Sequence, residues 1–217
     1  MIKHIVFDIG NVLMTFAPET YFIRWFQSEE KTHRVCSRIF THEAWEKYDQ
    51  GIWMLEDLYA VYHDAYPDMV EETDIVLQNW LQLMQPMQES IAFMKQMKNA
   101  GYGIYILSNI SQDSADYLKE TQQFFPLADG AVLSYEEKTN KPDPYIFEVL
   151  LERYELNAEE LLYLDDNVDN TRQAEKMGIQ GILFTDEGCI AKAQKLLKEE
   201  CHVKDLADGK RCYHRYG

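Results

Sequence analysis

The chain has 217 residues and a formal net charge of −16, from 37 acidic and 21 basic residues. A surface of that sign repels phosphate backbones and anionic membranes, which argues against nucleic acid or a membrane as partner. A small anionic ligand in a local cationic pocket is still allowed, because salt screens the distant field within roughly 10 Å.

Hydrophobic residues make up 46% and aromatics 13%, enough for a real core, and the length suits one domain or a core with a smaller insertion. Residues 2–7 are short, apolar and rich in β-branched side chains. They predict a buried strand that stops at the turn-forming Asp8-Ile9-Gly10-Asn11. The run is too short for a signal-peptide core, and no stretch approaches the ~18 apolar residues of a membrane span. Cys36, Cys189, Cys201 and Cys212 have neither metal-ligand spacing nor the look of a disulfide framework, so reduced thiols in a cytoplasmic protein are expected.

From about residue 17 to 85 the apolar and aromatic residues recur at helical spacing, as in Leu55, Leu58, Tyr59 and Tyr62, with strand signals nearly lacking. This predicts a small all-helical unit inserted after the first strand. After Pro86 the pattern alternates. Helices are predicted over 88–100, 111–124, 144–154, 168–177 and 186–199. Strands are predicted over 102–107, 131–134, 161–164 and 179–184. Residues 200–217 read as an irregular, basic tail. Alternation of this kind implies an α/β fold, a Rossmann-like parallel sheet with helices on both faces. The division expected is 1–16 with 86–217 as the core, and 17–85 as the helical insertion.

In such sheets ligands bind beyond the carboxyl ends of the strands. Four polar stretches lie there: Phe7-Asp8-Ile9-Gly10-Asn11, Leu107-Ser108-Asn109, Lys141-Pro142-Asp143, and Leu164-Asp165-Asp166-Asn167 with Asn170 beyond it. An aspartate attacks phosphorus only where its own charge and the phosphate's are compensated. Asp8 and Asp166 are candidate carboxylate ligands for a magnesium ion. Ser108, the neighbouring backbone N–H groups and Asn109 are candidate phosphate binders, and Lys141 a neutraliser of the transferring group. The adjacent acids Asp165 and Asp166 repel one another unless a cation or donors sit nearby.

In these four stretches, in this order, the chain resembles the haloacid dehalogenase-like hydrolase superfamily, over essentially its whole length. The resemblance implies that Asp8 is the nucleophile and Lys141 the third-motif lysine. Ser108 and Asn109 would bind phosphate. Asp8, the Gly10 carbonyl and Asp166 would hold Mg2+, with Asp165 and Asn170 supporting. It further implies that 17–85 is a subfamily I cap. The fourth motif and the segment Trp45-Glu46-Lys47-Tyr48-Asp49-Gln50-Gly51 resemble the sugar-1-phosphate phosphatase branch. The substrate implied is a small phosphorylated metabolite, and a monomer or weak homodimer is expected.

One position departs from the pattern. Most phosphatases of the superfamily carry a second Asp two residues after the nucleophile, as general acid and base; here it is Gly10. Such catalysis contributes about 10²–10⁴-fold. Three readings stand: another group or a water substitutes, the leaving group needs little protonation, or the protein is a weak or silent binder that uses its aromatic cap as an interaction surface. Metal-free 2-haloacid dehalogenases also lack this Asp and form the enzymatic rival, disfavoured by the adjacent acids at 165 and 166. Arg24, His42, Glu46 and Lys47 are further candidates to face a substrate.

Overall fold

The computed structural model describes residues 1–186 and 188–208, with 200–208 as backbone alone. Its centre is β1 (His4–Phe7), in which Ile5, Val6 and Phe7 are fully buried. A strand apolar on both faces needs cover on both, as parallel sheets provide.

The chain then runs through α1 (Pro18–Phe26), α2 (Glu29–Phe40), α3 (Glu43–Asp49), α4 (Leu55–Ala65) and α5 (Val70–Asn79), closed by a 3₁₀ turn at Trp80–Leu83. Next come α6 (Gln88–Asn99), β2 (Gly103–Ser108), α7 (Gln112–Thr121), β3 (Gly130–Leu133), α8 (Ser134–Glu137) and α9 (Pro144–Arg153). The last elements are β4 (Leu161–Asp165), α10 (Val168–Lys176), β5 (Gln180–Leu183) and α11 (Gly188–Asp208).

The five strands are all parallel, in the order β3-β2-β1-β4-β5. Register aligns Phe7 with Ile106 on one side and with Leu164 on the other, so β1, β2 and β4 end at one edge. The fold is therefore the α/β, Rossmann-like parallel sheet with helices that the alternating pattern predicts. Successive side chains point to opposite faces. Ile5, Phe7, Ile104, Ile106, Leu162 and Leu164 join one buried cluster, with α6 and the inserted helices. Val6, Tyr105, Leu107 and Tyr163 join another, under Ile146, Phe147 and Leu150 of α9 and Ala174 of α10.

Residues 18–83 contain helices and the loops between them and no strand, and their aromatics mostly face inward. Phe40, Trp45, Tyr48 and Trp80 pack edge to face, with centroids 4.6 Å apart for Phe40–Trp45 and 5.0 Å for Trp45–Trp80. The buried Tyr62 donates its hydroxyl to the Ile39 carbonyl at 2.8 Å. Trp25 differs, standing 46% exposed.

Three boundaries differ most from the expected ones. The helix expected over 111–124 ends at Thr121, and Phe125–Leu127 form a 3₁₀ turn around Pro126. Ser134 opens α8 instead of closing β3. The irregular tail expected from 200 onward is helical as far as Asp208, because no Gly or Pro interrupts the chain between Gly188 and Gly209. Residues 209–217, Cys212 among them, lie outside the described residues, as does the side chain of Cys201. Cys36 and Cys189 are buried free thiols. Among the described residues no helix is long and apolar enough to cross a membrane.

Ser134 joins the inserted helices to the sheet. Its buried hydroxyl accepts the Ile110 N–H at 2.8 Å and lies 2.5 Å from the Asp49 carbonyl, to which it donates. We expect Ser134→Ala to lose about 1–3 kcal/mol of stability, the cost of a buried donor left unpaired. Urea unfolding checks this, with a lowered midpoint and an unchanged m-value as the expected result.

Candidate active site

The site forms where the strand order reverses about β1, the usual binding crevice of an open parallel sheet. The N–H of Asp8 donates to the Leu164 carbonyl at 2.9 Å, which carries the β1–β4 ladder one residue past the strand. The chain then turns sharply. The Ile9 carbonyl accepts the N–H groups of Leu13 and Met14, both at 2.9 Å, and Asn11 adopts a left-handed φ of 49°. Asn tolerates that conformation better than most residues. The turn aims the Asn11 amide at Asp166: Nδ2 donates to its Oδ2 at 2.8 Å, while Oδ1 accepts the Phe16 N–H at 2.8 Å.

Lys141 is the buried cation of the site. Its Nζ lies 2.9 Å from Asp8 Oδ1 and 2.6 Å from Asp165 Oδ2, and donates to the Leu107 carbonyl at 2.8 Å. The loop that delivers it is braced by Asn109. Asn109 Oδ1 accepts the Lys141 N–H at 2.7 Å, and its Nδ2 donates to the Lys141 carbonyl at 2.9 Å. The Asn109 amide is thus committed to the loop. That leaves its side chain without a free group for a ligand, and Ser108 beside it is buried.

Asp165 is saturated by protein donors. Besides Lys141 it accepts from the Tyr163 hydroxyl, the Asn167 N–H at 2.8 Å, and Asn170 Nδ2 at 3.0 and 3.1 Å on its two oxygens. Burial works to raise its carboxyl, but Lys141 and these donors outweigh burial and hold it below the usual range. Asp8 goes the other way. Burial raises it to about 7 against the pull of Lys141, and the charges of Asp165 and Asp166 add to the rise. Burial also raises Asp166, against its bond from Asn11. Lys141 stays firmly protonated, because the two carboxylates overcome its own desolvation.

These groups fit a divalent cation. Asp8, Asp165 and Asp166 each bring an oxygen within 4.8 Å of the others. Three carboxylates against one ammonium leave a net −2, the charge such an ion neutralises. With Asp165 occupied by donors, the available ligands are Asp8, Asp166 and the Gly10 carbonyl on the intervening turn, an oxygen set suited to Mg2+.

Beside them lies a cavity of about 270 Å³. Gly10, Ser108, Asn109 and Asp166 line it from the strand ends, and Phe40, Trp45, Asp49 and Trp80 from the inserted helices. A Cβ built on Gly10 would meet nothing within 4 Å, so the missing side chain at this position is not required by packing. The structure thus brings Asp8, Gly10, Ser108, Asn109, Lys141, Asp165, Asp166 and Asn170 to one edge. Arg24, His42, Glu46 and Lys47 do not line the cavity. His42 caps α3 instead, its Nδ1 accepting the Ala44 N–H at 3.1 Å.

Sequence reasoning assigns no individual role to Asn11, Tyr163 or Asp49. The Gly-Asn turn was a signal for Asn11. Tyr163, two residues before Asp165, shares its side of the sheet by strand alternation.

The model of the haloacid dehalogenase-like hydrolases matches residues 2–178. The sesquiterpene phosphatase astK of Aspergillus oryzae is 24% identical over 184 residues, covering 85% of this chain and 90% of that protein. Among solved structures, a HAD-family enzyme of Bacteroides thetaiotaomicron in complex with magnesium and inorganic phosphate superposes with a TM-score of 0.61 at 19% identity, over 84% of this chain and 93% of that one. The L-2-haloacid dehalogenase of Xanthobacter autotrophicus, with chloropropionic acid covalently bound, gives 0.64 at 16% identity, over 83% and 76%. At such identities the structural likeness is one of fold. The match over most of its length makes this chain a member of the haloacid dehalogenase-like hydrolase family, and it is a hydrolase by that membership.

Proposed function

We propose that the protein is a magnesium-dependent phosphatase that hydrolyses a small phosphomonoester through a phosphoryl group carried on Asp8. The observation that carries this reading is the pairing at one strand edge of a buried Asp8–Lys141–Asp165 chain with a second carboxylate, Asp166, that protein donors leave largely free. Residues 17–85 serve as a cap over a core made of 1–16 and 86–217, since the cavity draws one wall from each.

Asp8 attacks phosphorus and the ester bond opposite breaks. Lys141 offsets the charge shared by Asp8 and the transferring group. Ser108 and the main chain after it hold phosphoryl oxygens. A bound Mg2+, held by Asp8, Asp166 and the Gly10 carbonyl, would supply further charge neutralisation. Asp165 keeps Lys141 charged and in place. Asn170 and Tyr163 fix Asp165 in turn.

The identity of the leaving group follows from the walls. The resemblance to the sugar-1-phosphate branch points to a sugar. Phe16, Phe40, Trp45, Trp80, Met14 and Met84, however, present an apolar and aromatic surface with few hydrogen-bonding groups. That lining suits the phosphate ester of an apolar alcohol better, and the name of the Aspergillus oryzae relative points the same way.

In p-nitrophenyl phosphate turnover, Asp8→Asn should lower the rate at least ~10³-fold, and chelation of magnesium should abolish the wild-type rate reversibly. Equal rates for the two proteins would sink the mechanism. Metal-free chloride release from 2-chloropropionate would establish the dehalogenase instead.

A substrate panel checks the wall argument. Medium-chain alkyl or prenyl phosphates should exceed glucose 1-phosphate and glucose 6-phosphate in kcat/KM by about 10-fold or more, as a few buried methylenes provide. A preference for either sugar phosphate would restore the sugar reading.

A further inference from the structure

We propose that Asp49, at the C-terminal end of α3, is the carboxyl group that moves the proton in this site, replacing from the cap the acid and base that Gly10 lacks. The proposal rests on the phosphatase reading above and extends it by one catalytic residue.

The first argument is elimination. Among the described residues lining the cavity, only two have titratable side chains, Asp49 and Asp166. Asp166 belongs to the candidate metal site and is bonded to Asn11. Asp49 stands outside that carboxylate group, on the wall contributed by the inserted helices. An acid that protonates a leaving oxygen must approach from the side away from the nucleophile and its metal, where the alcohol departs.

The second argument is rigidity. A proton-transfer group on a loose lid would be poorly placed, but the end of α3 is fastened to the core at several points. The Ser134 hydroxyl holds the Asp49 carbonyl at 2.5 Å, Lys138 Nζ donates to the Gly51 carbonyl at 2.7 Å, and Asn140 Nδ2 donates to the Glu46 carbonyl at 3.1 Å. The Tyr48 hydroxyl bonds Asp113. The Asp49 carboxyl itself faces the N–H of Ser111, three residues beyond the phosphate-binding Ser108.

The electrostatics agree. Burial raises the Asp49 carboxyl to about 7; the Ser111 N–H opposes the rise and the charge of Glu46 adds to it. The nearby phenols of Tyr48 and Tyr62 are themselves pushed up, chiefly by burial, and remain neutral. Both forms of Asp49 are therefore populated near neutral pH, as a group that gives a proton in one step and takes one in the next requires.

The steps balance. In the first, an Asp8 oxygen bonds to phosphorus, the phosphorus–oxygen bond of the ester breaks with its electrons on the alcohol oxygen, and that oxygen takes the proton of Asp49. In the second, the Asp49 carboxylate takes a proton from water as the water oxygen bonds to phosphorus. The bond to Asp8 breaks, freeing its carboxylate and inorganic phosphate.

The test compares leaving groups by kcat/KM, which reports the first step. Asp49→Asn should lower kcat/KM for butyl phosphate by about 10²–10⁴-fold, and for p-nitrophenyl phosphate, whose leaving group needs no proton, by less than about 5-fold. Asp49→Glu, which keeps the acid, should recover at least a tenth of the butyl phosphate rate, and thermal melts should show all variants folded. Equal losses on both esters would mean that Asp49 only docks the cap and would overturn the proposal, as would no loss on either. Asp8→Asn is run alongside on both esters. If it retains activity, the phosphatase reading itself fails, whatever Asp49 does.

Discussion

A single ammonium group organises this site. Lys141 is buried between Asp8 and Asp165 at 2.9 and 2.6 Å, with the Leu107 carbonyl as third partner. A buried charge is tolerated only when paired and hydrogen-bonded, and removing one partner of such a pair typically costs about 3–5 kcal/mol. Each neighbour has its own support. Tyr163 and Asn170 hold Asp165, Asn109 brackets the backbone of Lys141, and the β1–β4 ladder fixes Asp8. The chemistry attributed to Asp8 depends on this chain of contacts, since an aspartate alone at a strand end would be either solvated or protonated.

The two acids at 165 and 166 show how adjacency separates roles. Alternation turns Asp165 into the sheet's interior, where protein donors satisfy it, and leaves Asp166 at the rim, bonded to the Asn11 side chain. One acid holds the lysine and the other remains for a cation. Their mutual repulsion, seen in the sequence as a reason to expect a counter-charge, is answered on one side by Lys141 and on the other by the space between Asp8 and Asp166.

Much of this is legible in the sequence. Asp8, Ser108 and Asp165 stand out because each closes a short apolar run, and parallel strands buried on both faces leave their polar residues at the ends. Side-chain commitments were less legible. Asn109 reads as a phosphate binder from its place after Ser108, yet the Lys141 loop, 32 residues on, takes both groups of its amide. Asp49 was hidden for another reason. In α3 it looks like one more polar residue of a helix rich in Glu, Lys and Asp, and only the docking of that helix against Ser111 and Ser134 turns it toward the cavity. Periodicity describes which face of an element is apolar. It does not say which partner that element will meet across a long stretch of chain.

The open space around Gly10 has a consequence for the history of the site. A side chain there would touch no neighbouring atom, and the residue's φ is not in the glycine-favouring region. Neither packing nor backbone conformation therefore excludes a larger residue. From two of the four glycine codons a single base change gives aspartate, so sites with and without an acid at this position lie close in mutational space. Drift between them need not pass through an unfolded protein. What separates the two is chemical demand, since the strands, the lysine and the first aspartate can stay as they are.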